Sequence, residues 1–149
     1  MSSARGRRFA VCLTALSLLA GCGSSGTSAK DFAKQGNTIC TDARAKARAI
    51  PPAKDFPGLV RQSQATLVIL QDGVSRLHKL KPPAEKKADF DHYLRLADQQ
   101  VALARQLPTA ARAKDVSRIQ QLSSQGRAQQ TEIRPLFGRL GFTECGKAG

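Results

Sequence analysis

Apolar residues recur at intervals of three and four along most of the chain after residue 29. This spacing places them on one face of an α-helix, and the strict apolar–polar alternation of a half-buried strand does not occur in that part of the sequence. Two proline pairs, Pro51-Pro52 and Pro82-Pro83, interrupt the pattern and are expected to end helices. The sequence therefore predicts an all-α fold.

We predict four helices, over residues 30–49, 57–80, 84–107 and 116–140. Ser28 and Asp115 suit the N-cap position, and Pro57 suits the first turn of the second helix. The third helix could continue to residue 113, because the spacing does not decide whether Pro108 kinks it or ends it. Four amphipathic helices with short connections favour an antiparallel up-down four-helix bundle.

The spacing also predicts which side chains face the core. In the second helix the expected buried face comprises Leu59, Ser63, Thr66, Leu67, Leu70, Val74 and Leu77, and it is widened by Val68, Ile69 and Leu80. In the fourth helix it comprises Val116, Ile119, Leu122, Gly126, Ile133, Leu136, Phe137 and Leu140. Pro135 is expected to disturb the last turns of the fourth helix.

The first 22 residues have the organisation of an export signal. Arg5, Arg7 and Arg8 precede an apolar run over residues 9–20, which is too short to span a bilayer as a helix. The run ends in Leu19-Ala20-Gly21-Cys22, which resembles the lipobox of bacterial lipoproteins. An ordinary secretory signal with a chance cysteine is the alternative, and Arg7-Arg8 leaves the twin-arginine export route open.

The lipobox resemblance implies the processing and location of the chain. Residues 1–21 would be the signal peptide, with cleavage between Gly21 and Cys22, and the Cys22 thiol would carry a diacylglyceryl group with fatty acyl chains such as palmitate. Residues 22–29, rich in glycine and serine, would be a flexible tether, and residues 30–149 the helical bundle domain. We therefore expect a lipid-anchored protein on the extracytoplasmic face of the cell membrane.

Two cysteines remain in the mature part, Cys40 and Cys145. Outside the cytoplasm an even pair in a small domain favours a disulfide, which would tie the C-terminal tail to the first helix. The pair closes a loop of 105 positions, for which chain entropy gives a stabilisation of about 4.7 kcal/mol as an upper figure. Free thiols and a metal pair are the alternatives, but no CxxC spacing is present.

The formal net charge of +13 falls to +10 without Arg5, Arg7 and Arg8, since 21 of the 24 basic residues and all 11 acidic residues remain. A basic domain beside a bacterial membrane is attracted to anionic lipid headgroups or anionic wall polymers. The alternative is that the charges solvate the outer helix faces. With six Phe, one Tyr and no Trp, the chain lacks the stacking aromatics that nucleic-acid binding favours.

The sequence contains little that indicates catalysis. Asp89 and His92 stand three positions apart on one expected helix face, but metal sites in bundles use such pairs on several helices. A surface ion pair is the simpler interpretation there, and an exposed or boundary position is the simpler one for His78. No nucleophile elbow, HExxH or phosphate-loop motif occurs. We therefore expect no catalytic residues, no metal and no cofactor.

Polar residues concentrate in the middle of the fourth helix, at 120–126 and at Gln129-Gln130, and the third helix has Gln99-Gln100. These residues could line a polar groove for a ligand or partner, or they could be boundary residues of a loosely packed bundle.

The mature part is similar to the small Ala- and Arg-rich helical lipoproteins of high-GC Gram-positive bacteria, a resemblance that assigns no activity. It rests on the lipobox and on three marks in the mature part: Asn37-Thr38-Ile39-Cys40, Leu80-Lys81-Pro82-Pro83 and Gly141-Phe142-Thr143-Glu144-Cys145. We expect a non-enzymatic binding or structural protein of the envelope, with a protein or an anionic wall polymer as partner. The alternative function is a small-molecule binding or sensing module with the ligand held between helices.

Overall fold

Four antiparallel α-helices form the fold in a computed structural model of the chain, which describes residues 27–147. The helices are α1 (Ala29–Arg48), α2 (Phe56–Leu77), α3 (Lys87–Arg112) and α4 (Val116–Leu140), with a 3₁₀ turn at Ala84–Lys86 before α3. No strand occurs within residues 27–147. The predicted all-α four-helix bundle is confirmed, and the predicted signal peptide and lipidation site lie outside the described residues.

Side-chain caps begin three of the helices. The side chain of Ser28 accepts a hydrogen bond from the Asp31 N–H, and Asp115 does the same for Arg118, so both predicted N-caps are confirmed. Asp55 caps α2 by accepting from the Gly58 N–H. Because α2 ends at Leu77, its predicted continuation to residue 80 was wrong: the chain leaves the helix before the Pro82-Pro83 pair.

Two prolines lie inside helices without ending them. Pro108 is buried in α3, which continues to Arg112, and Pro135 lies within α4, which continues to Leu140. The helices persist because each proline removes only one backbone hydrogen bond while apolar side chains beyond it remain buried, Ala111 in α3 and Leu136 in α4. The extension of the third helix beyond Pro108 is thereby established.

The largest side chains are buried together in one half of the bundle, which we call the proximal half (residues 28–48, 71–98 and 131–147). The ring centroids of Phe32 and Phe90 lie 5.0 Å apart with an edge-to-face geometry, and those of Tyr93 and Phe137 lie 5.7 Å apart. Phe142, which follows α4, packs 5.1 Å from the Phe32 ring. Such aromatic pairs stabilise a core beyond the burial of their area.

The C-terminal tail is fastened to α1 by covalent and polar contacts. The Cys40–Cys145 disulfide joins them, which confirms the predicted pairing. The side chain of Asn37 donates to the Gly141 carbonyl at 3.0 Å and accepts from the Glu144 N–H at 2.8 Å. Hydrogen bonds from Lys147 and Arg44 lower the pKa of the Glu144 carboxyl, so the tail is held by charge as well.

α1 covers only part of α2. Arg76 donates to Asp42 and Lys46 donates to Asp72, each at 2.8 Å. The two helices are antiparallel, so a residue further along α1 lies opposite an earlier residue of α2. On this register the last residue of α1, Arg48, lies opposite the region of Leu70. The first part of α2, residues 56–69, therefore extends beyond the end of α1.

Because α1 ends early, fewer residues of α2 are buried than the sequence predicted. Of its expected buried face only Ser63 and Leu77 are buried, while Thr66 is exposed and the remainder are half-buried. Val68 is 64% exposed, and Val116, expected in the core at the start of α4, is 52% exposed. Over residues 56–69 the helical spacing identified the correct face of α2, but no fourth helix is present there to cover it.

Candidate functional site

An open groove lies between α2, α3 and α4 in the other half of the bundle, which we call the distal half (residues 49–70 and 99–130). α3 lies between α2 and α4, which make at most marginal direct contact. The groove has a volume of about 320 Å³ and is lined by five aliphatic and four small or polar residues: Leu70, Leu103, Ala104, Leu107, Leu122, Gln100, Ser123, Gly126 and Gln130. The arrangement can hold an apolar group and offers uncharged hydrogen-bonding partners at its border.

The α3 side of the groove continues the buried face of the proximal half. Gln100 and Leu107 follow Tyr93 by seven and fourteen positions, and Leu103 follows Leu96 by seven. Seven residues make nearly two full helical turns, so these side chains share a face. Tyr93 and Leu96 are buried, whereas Leu103 and Leu107 are only half-buried. The same face is therefore core in one half and groove wall in the other.

The side chains of α4 become smaller along the equivalent face. Gln130 and Ser123 precede Phe137 by seven and fourteen positions, and Gly126 precedes Ile133 by seven. Phe137 and Ile133 are buried in the core, and a Cβ placed on Gly126 would meet no atom within 4 Å. The groove is thus open for two reasons: α1 has ended, and the α4 residues that face it are small or polar.

Four glutamines form a belt between the aromatic core and the groove. The Gln100 amide donates to Gln130 at 3.1 Å, and the Gln129 amide donates to Gln99 at 3.2 Å, so both bonds join α3 to α4. The Gln129 carbonyl oxygen is buried without a hydrogen-bond partner. Gln100 and Gln130 line the groove, as one interpretation of these glutamines predicted. Gln99 and Gln129 lie instead at the boundary between α3 and α4.

Ion pairs are divided unequally between the two halves. All the ion pairs of residues 27–147 lie in the proximal half. In the distal half the acids are Asp55 and Asp115, and both cap helices. Seven cations of that half have no acidic partner among the described residues: Lys54, Arg61, Arg105, Arg112, Lys114, Arg118 and Arg127. Both halves nevertheless have a net charge of +5, since the proximal half has 14 basic and nine acidic residues and the distal half has seven and two, and no charged residue lines the groove.

A second concavity lies at the tip of the bundle, between the start of α2 and the end of α3. It has a volume of about 410 Å³, and three of the unpaired cations and four apolar residues line it: Arg61, Arg112, Lys114, Phe56, Pro57, Val60 and Ala111. Lys114 has a positive φ of 54° in the short turn between α3 and α4. The tip adds to the positive surface of the distal half.

The residues singled out for metal chemistry do not come together. Asp89 pairs with Arg139 at 3.2 Å, and the His78 ring contacts Asp98 at 3.0 Å, while His92 is exposed. Within residues 27–147 no group of three or more His, Cys, Asp or Glu side chains could hold a metal ion. Cys40 and Cys145 form the disulfide, and Gly21 and Cys22 lie outside the described residues.

Polar residues that the sequence singled out as a possible groove lining, Gln100, Ser123 and Gln130, do line it, but the sequence did not show where along the bundle the groove opens. The signal that could have found it is the heptad comparison of Phe137 with Gln130 and Ser123, which marks where large core residues give way to polar ones. None of the helices within residues 27–147 is long and apolar enough to cross a membrane. Comparison of the chain with protein-family models, curated proteins and solved structures finds no match.

Proposed function

We propose that this chain is a membrane-anchored lipoprotein on the extracytoplasmic face, and that it is a non-enzymatic binding protein whose ligand or partner occupies the distal groove. The observation that carries the proposal is the groove itself, in which Leu103, Leu107 and Leu122 meet beside the border formed by Gln100 and Ser123. Apolar walls with a few uncharged polar groups are typical of binding sites.

The energetic cost of leaving the groove open supports its role as a binding site. Aliphatic side chains that remain half-buried, such as Leu70, Leu103 and Leu107, forgo hydrophobic stabilisation of about 25 cal/mol for each Å² left in water. The exposed face is contiguous and lined from three helices, unlike the scattered apolar residues of an ordinary surface. An occupant would regain that stabilisation on binding.

The anchor is supported by the order of the N-terminal elements. Arg5, Arg7 and Arg8, the apolar run and Leu19-Ala20-Gly21-Cys22 stand at the distances of a lipobox signal, and residues 23–28 are glycine, serine and threonine. α1 begins at Ala29, in the proximal half. A tether attached there leaves the groove on the half of the bundle farther from the membrane.

The binding proposal is tested with 8-anilinonaphthalene-1-sulfonate, a fluorescent probe that is both apolar and anionic. We expect saturable fluorescence enhancement by the native protein, and at least tenfold weaker binding after Ser123→Phe, which places a ring on the groove face. Ser124→Phe is the matched control, because Ser124 is exposed like its neighbour Ser123 but does not line the groove. Equal binding by the two variants would contradict the proposal.

The anchor is tested independently by mass spectrometry of the native protein isolated from membranes. The proposal expects a chain that begins at Cys22 and has the added mass of a diacylglyceryl group, and a Cys22→Ser chain that is neither lipidated nor retained. Recovery of Met1 or of an unmodified Cys22 thiol from the native host would contradict it.

A second candidate function is a small-molecule binding or sensing module. The volume of the groove favours it, since about 320 Å³ lies at the lower end of the range of roughly 300–1,000 Å³ for small-molecule sites. It predicts that a compact ligand alone raises the melting temperature of the native protein and not that of the Ser123→Phe variant. If the groove instead binds a partner with a longer contact surface, a compact ligand alone should not raise the melting temperature.

A further inference from the structure

We propose that the groove binds a compact uncharged molecule with a short apolar chain and a polar end that both donates and accepts hydrogen bonds, as an amide does. This inference rests on the proposed function, since it names the class of ligand of the same groove. It follows from three features of the groove: the absence of charge from its lining, the hydrogen-bonding groups at one end, and its length.

The lining of the groove is free of charge although the chain is strongly basic. Among residues 27–147, the nine that line the groove are all uncharged. Other concavities of the bundle do include charged side chains: Arg61, Arg112 and Lys114 at the tip, and Lys79 and Arg105 beside the His78–Asp98 contact. A charged ligand among the groove residues would lose hydration without gaining an opposite charge. The lining therefore favours an uncharged ligand.

Gln100 and Gln130 present hydrogen-bonding groups at one end of the groove. The amide nitrogen of Gln100 donates to the side-chain oxygen of Gln130 at 3.1 Å. Within residues 27–147 the side-chain oxygen of Gln100 and the side-chain nitrogen of Gln130 have no hydrogen-bond partner. The pair therefore retains an acceptor on one residue and donors on the other. Both residues are half-buried, and a ligand group that donates and accepts can satisfy both.

Aliphatic walls extend from the glutamine pair toward the tip of the bundle. On α3, Leu103 and Leu107 lie three and seven positions beyond Gln100. Because α4 is antiparallel to α3, Leu122 lies at the same end of the groove as Leu107. Seven residues of helix span about 10 Å, so a short hydrocarbon chain can lie along these walls with its polar end at the glutamines.

The test compares three probes that share one hydrocarbon chain and differ in the polar end: octanamide, octanoate and octylammonium. Each is titrated into the full mature chain by isothermal calorimetry at neutral pH, where octanoate is an anion and octylammonium a cation. We expect octanamide to bind at least tenfold more tightly than either charged probe. Ser123→Phe should weaken octanamide binding at least tenfold, and Ser124→Phe should not.

Gln130→Glu tests the position of the polar end. The new side chain keeps an oxygen that can accept from Gln100, but a charged oxygen replaces the amide donor. Octanamide should bind at least fivefold more weakly and octylammonium more tightly, so that the preference between them reverses. Gln125→Glu is the matched control, because it makes the same charge change at an exposed position of α4 that does not line the groove. Circular dichroism of each variant confirms that the helices are intact.

Equal affinity for the three probes, or octanamide binding unchanged by Ser123→Phe, would overturn the inference. The anilinonaphthalene probe separates it from the proposed function, because that probe reports entry of apolar rings while its sulfonate can remain in water at the open side. If that probe binds in the groove and octanamide does not, the proposed function stands and the inferred ligand class is wrong. If neither binds, the proposed function itself fails.

Discussion

Gly36 illustrates how a single residue sets the contact between α1 and the tail. A Cβ placed on Gly36 would lie 2.2 Å from Cε1 of Phe142, a ring that is fully buried. Neither α1 nor the tail can move aside easily, because the disulfide and the two hydrogen bonds of Asn37 join them. The absence of a side chain at this position is therefore a packing requirement.

We predict that Gly36→Ala lowers the free energy of unfolding by about 1–3 kcal/mol, the usual effect of overpacking a core. Gly73→Ala is the control, since a Cβ there meets nothing within 4 Å, and within a helix this change should stabilise by about 0.5–1 kcal/mol. Urea denaturation of both variants measures the difference. A Gly36→Ala protein as stable as the native one would show that the tail does not pack as described.

Tyr93 makes the stability of the core sensitive to alkaline pH. Burial raises the pKa of its phenol from 10.0 to about 12, so the unfolded chain ionises first as the pH rises. The stabilisation is fully present below pH 10 and is lost as the pH rises through about 12. A shift of this size corresponds to a loss on the order of 2–3 kcal/mol.

The measurement is the free energy of unfolding between pH 9 and 12 for the native chain and for Tyr93→Phe. The native protein should lose more stability over this range than Tyr93→Phe does, because the two proteins differ only in the phenol hydroxyl. Parallel curves would mean that the phenol is accessible to water in the folded state.

At the scale of elements, the disulfide determines how firmly α1 is held. Without it, α1 would be retained by its packing on α2, by the Phe32 contacts and by polar bonds to the tail. We predict that Cys40→Ala with Cys145→Ala lowers the free energy of unfolding by about 2–5 kcal/mol, because the closed loop is long. Amide exchange in α1 should accelerate more than in α3.

Reductant provides the control for this prediction: it should destabilise the native protein and leave the double alanine variant unchanged. If removal of both cysteines leaves amide protection in α1 as it was, the noncovalent contacts suffice and the disulfide has another role.

The Gln100–Gln130 hydrogen bond of the glutamine belt joins α3 to α4, and its contribution to stability can be measured. Replacing one partner of the Gln100–Gln130 hydrogen bond leaves the other amide unpaired in a half-buried setting, which costs about 1–3 kcal/mol. Replacing both with leucine removes both polar groups and fills part of the groove. We predict that Gln100→Leu destabilises, that Gln100→Leu with Gln130→Leu is neutral or stabilising, and that a double-mutant cycle in urea reveals the coupling.

The double leucine variant should also bind the fluorescent probe more weakly than the native protein, because its side chains fill part of the groove. Additive effects on stability in the cycle would show that the two amides do not interact across the seam.

The boundaries of the helices could be predicted largely from local chemistry, and the core only in part. Ser28 and Asp115 are caps, whose preference depends on adjacent residues, and both were identified from sequence. The exposure of Leu67 and Val68 depends on the length of a different helix, α1, and on its register against α2. Helical spacing carries no information about that distance, so the predicted α2 core was too large.

At the scale of the whole molecule, the bundle is divided into a rigid and an open half. The proximal half contains the aromatic core, the disulfide and the ion pairs, whereas the distal half contains the groove and the glutamine belt. The sequence indicated that polar residues of α3 and α4 could line a groove, but not that aliphatic residues of three helices would meet there. That meeting results from where α1 ends, which is a tertiary property.

The proposed anchor and the proposed binding site lie in different halves of the bundle. The proposed tether would join the proximal half at Ala29, and the groove opens in the distal half between Leu70, Leu107 and Leu122. A protein built in this way would be held at the membrane by one end and would bind with the other.

The most direct test of the groove as a binding site is methyl NMR of the mature chain during titration with the anilinonaphthalene probe. We predict that the shifts concentrate on Leu70, Leu103, Leu107 and Leu122, with little change at Leu77, Leu96 and Leu136 of the proximal core. Shifts confined to the proximal core, or spread over all leucines alike, would contradict the claim that the open half of this bundle is where it binds.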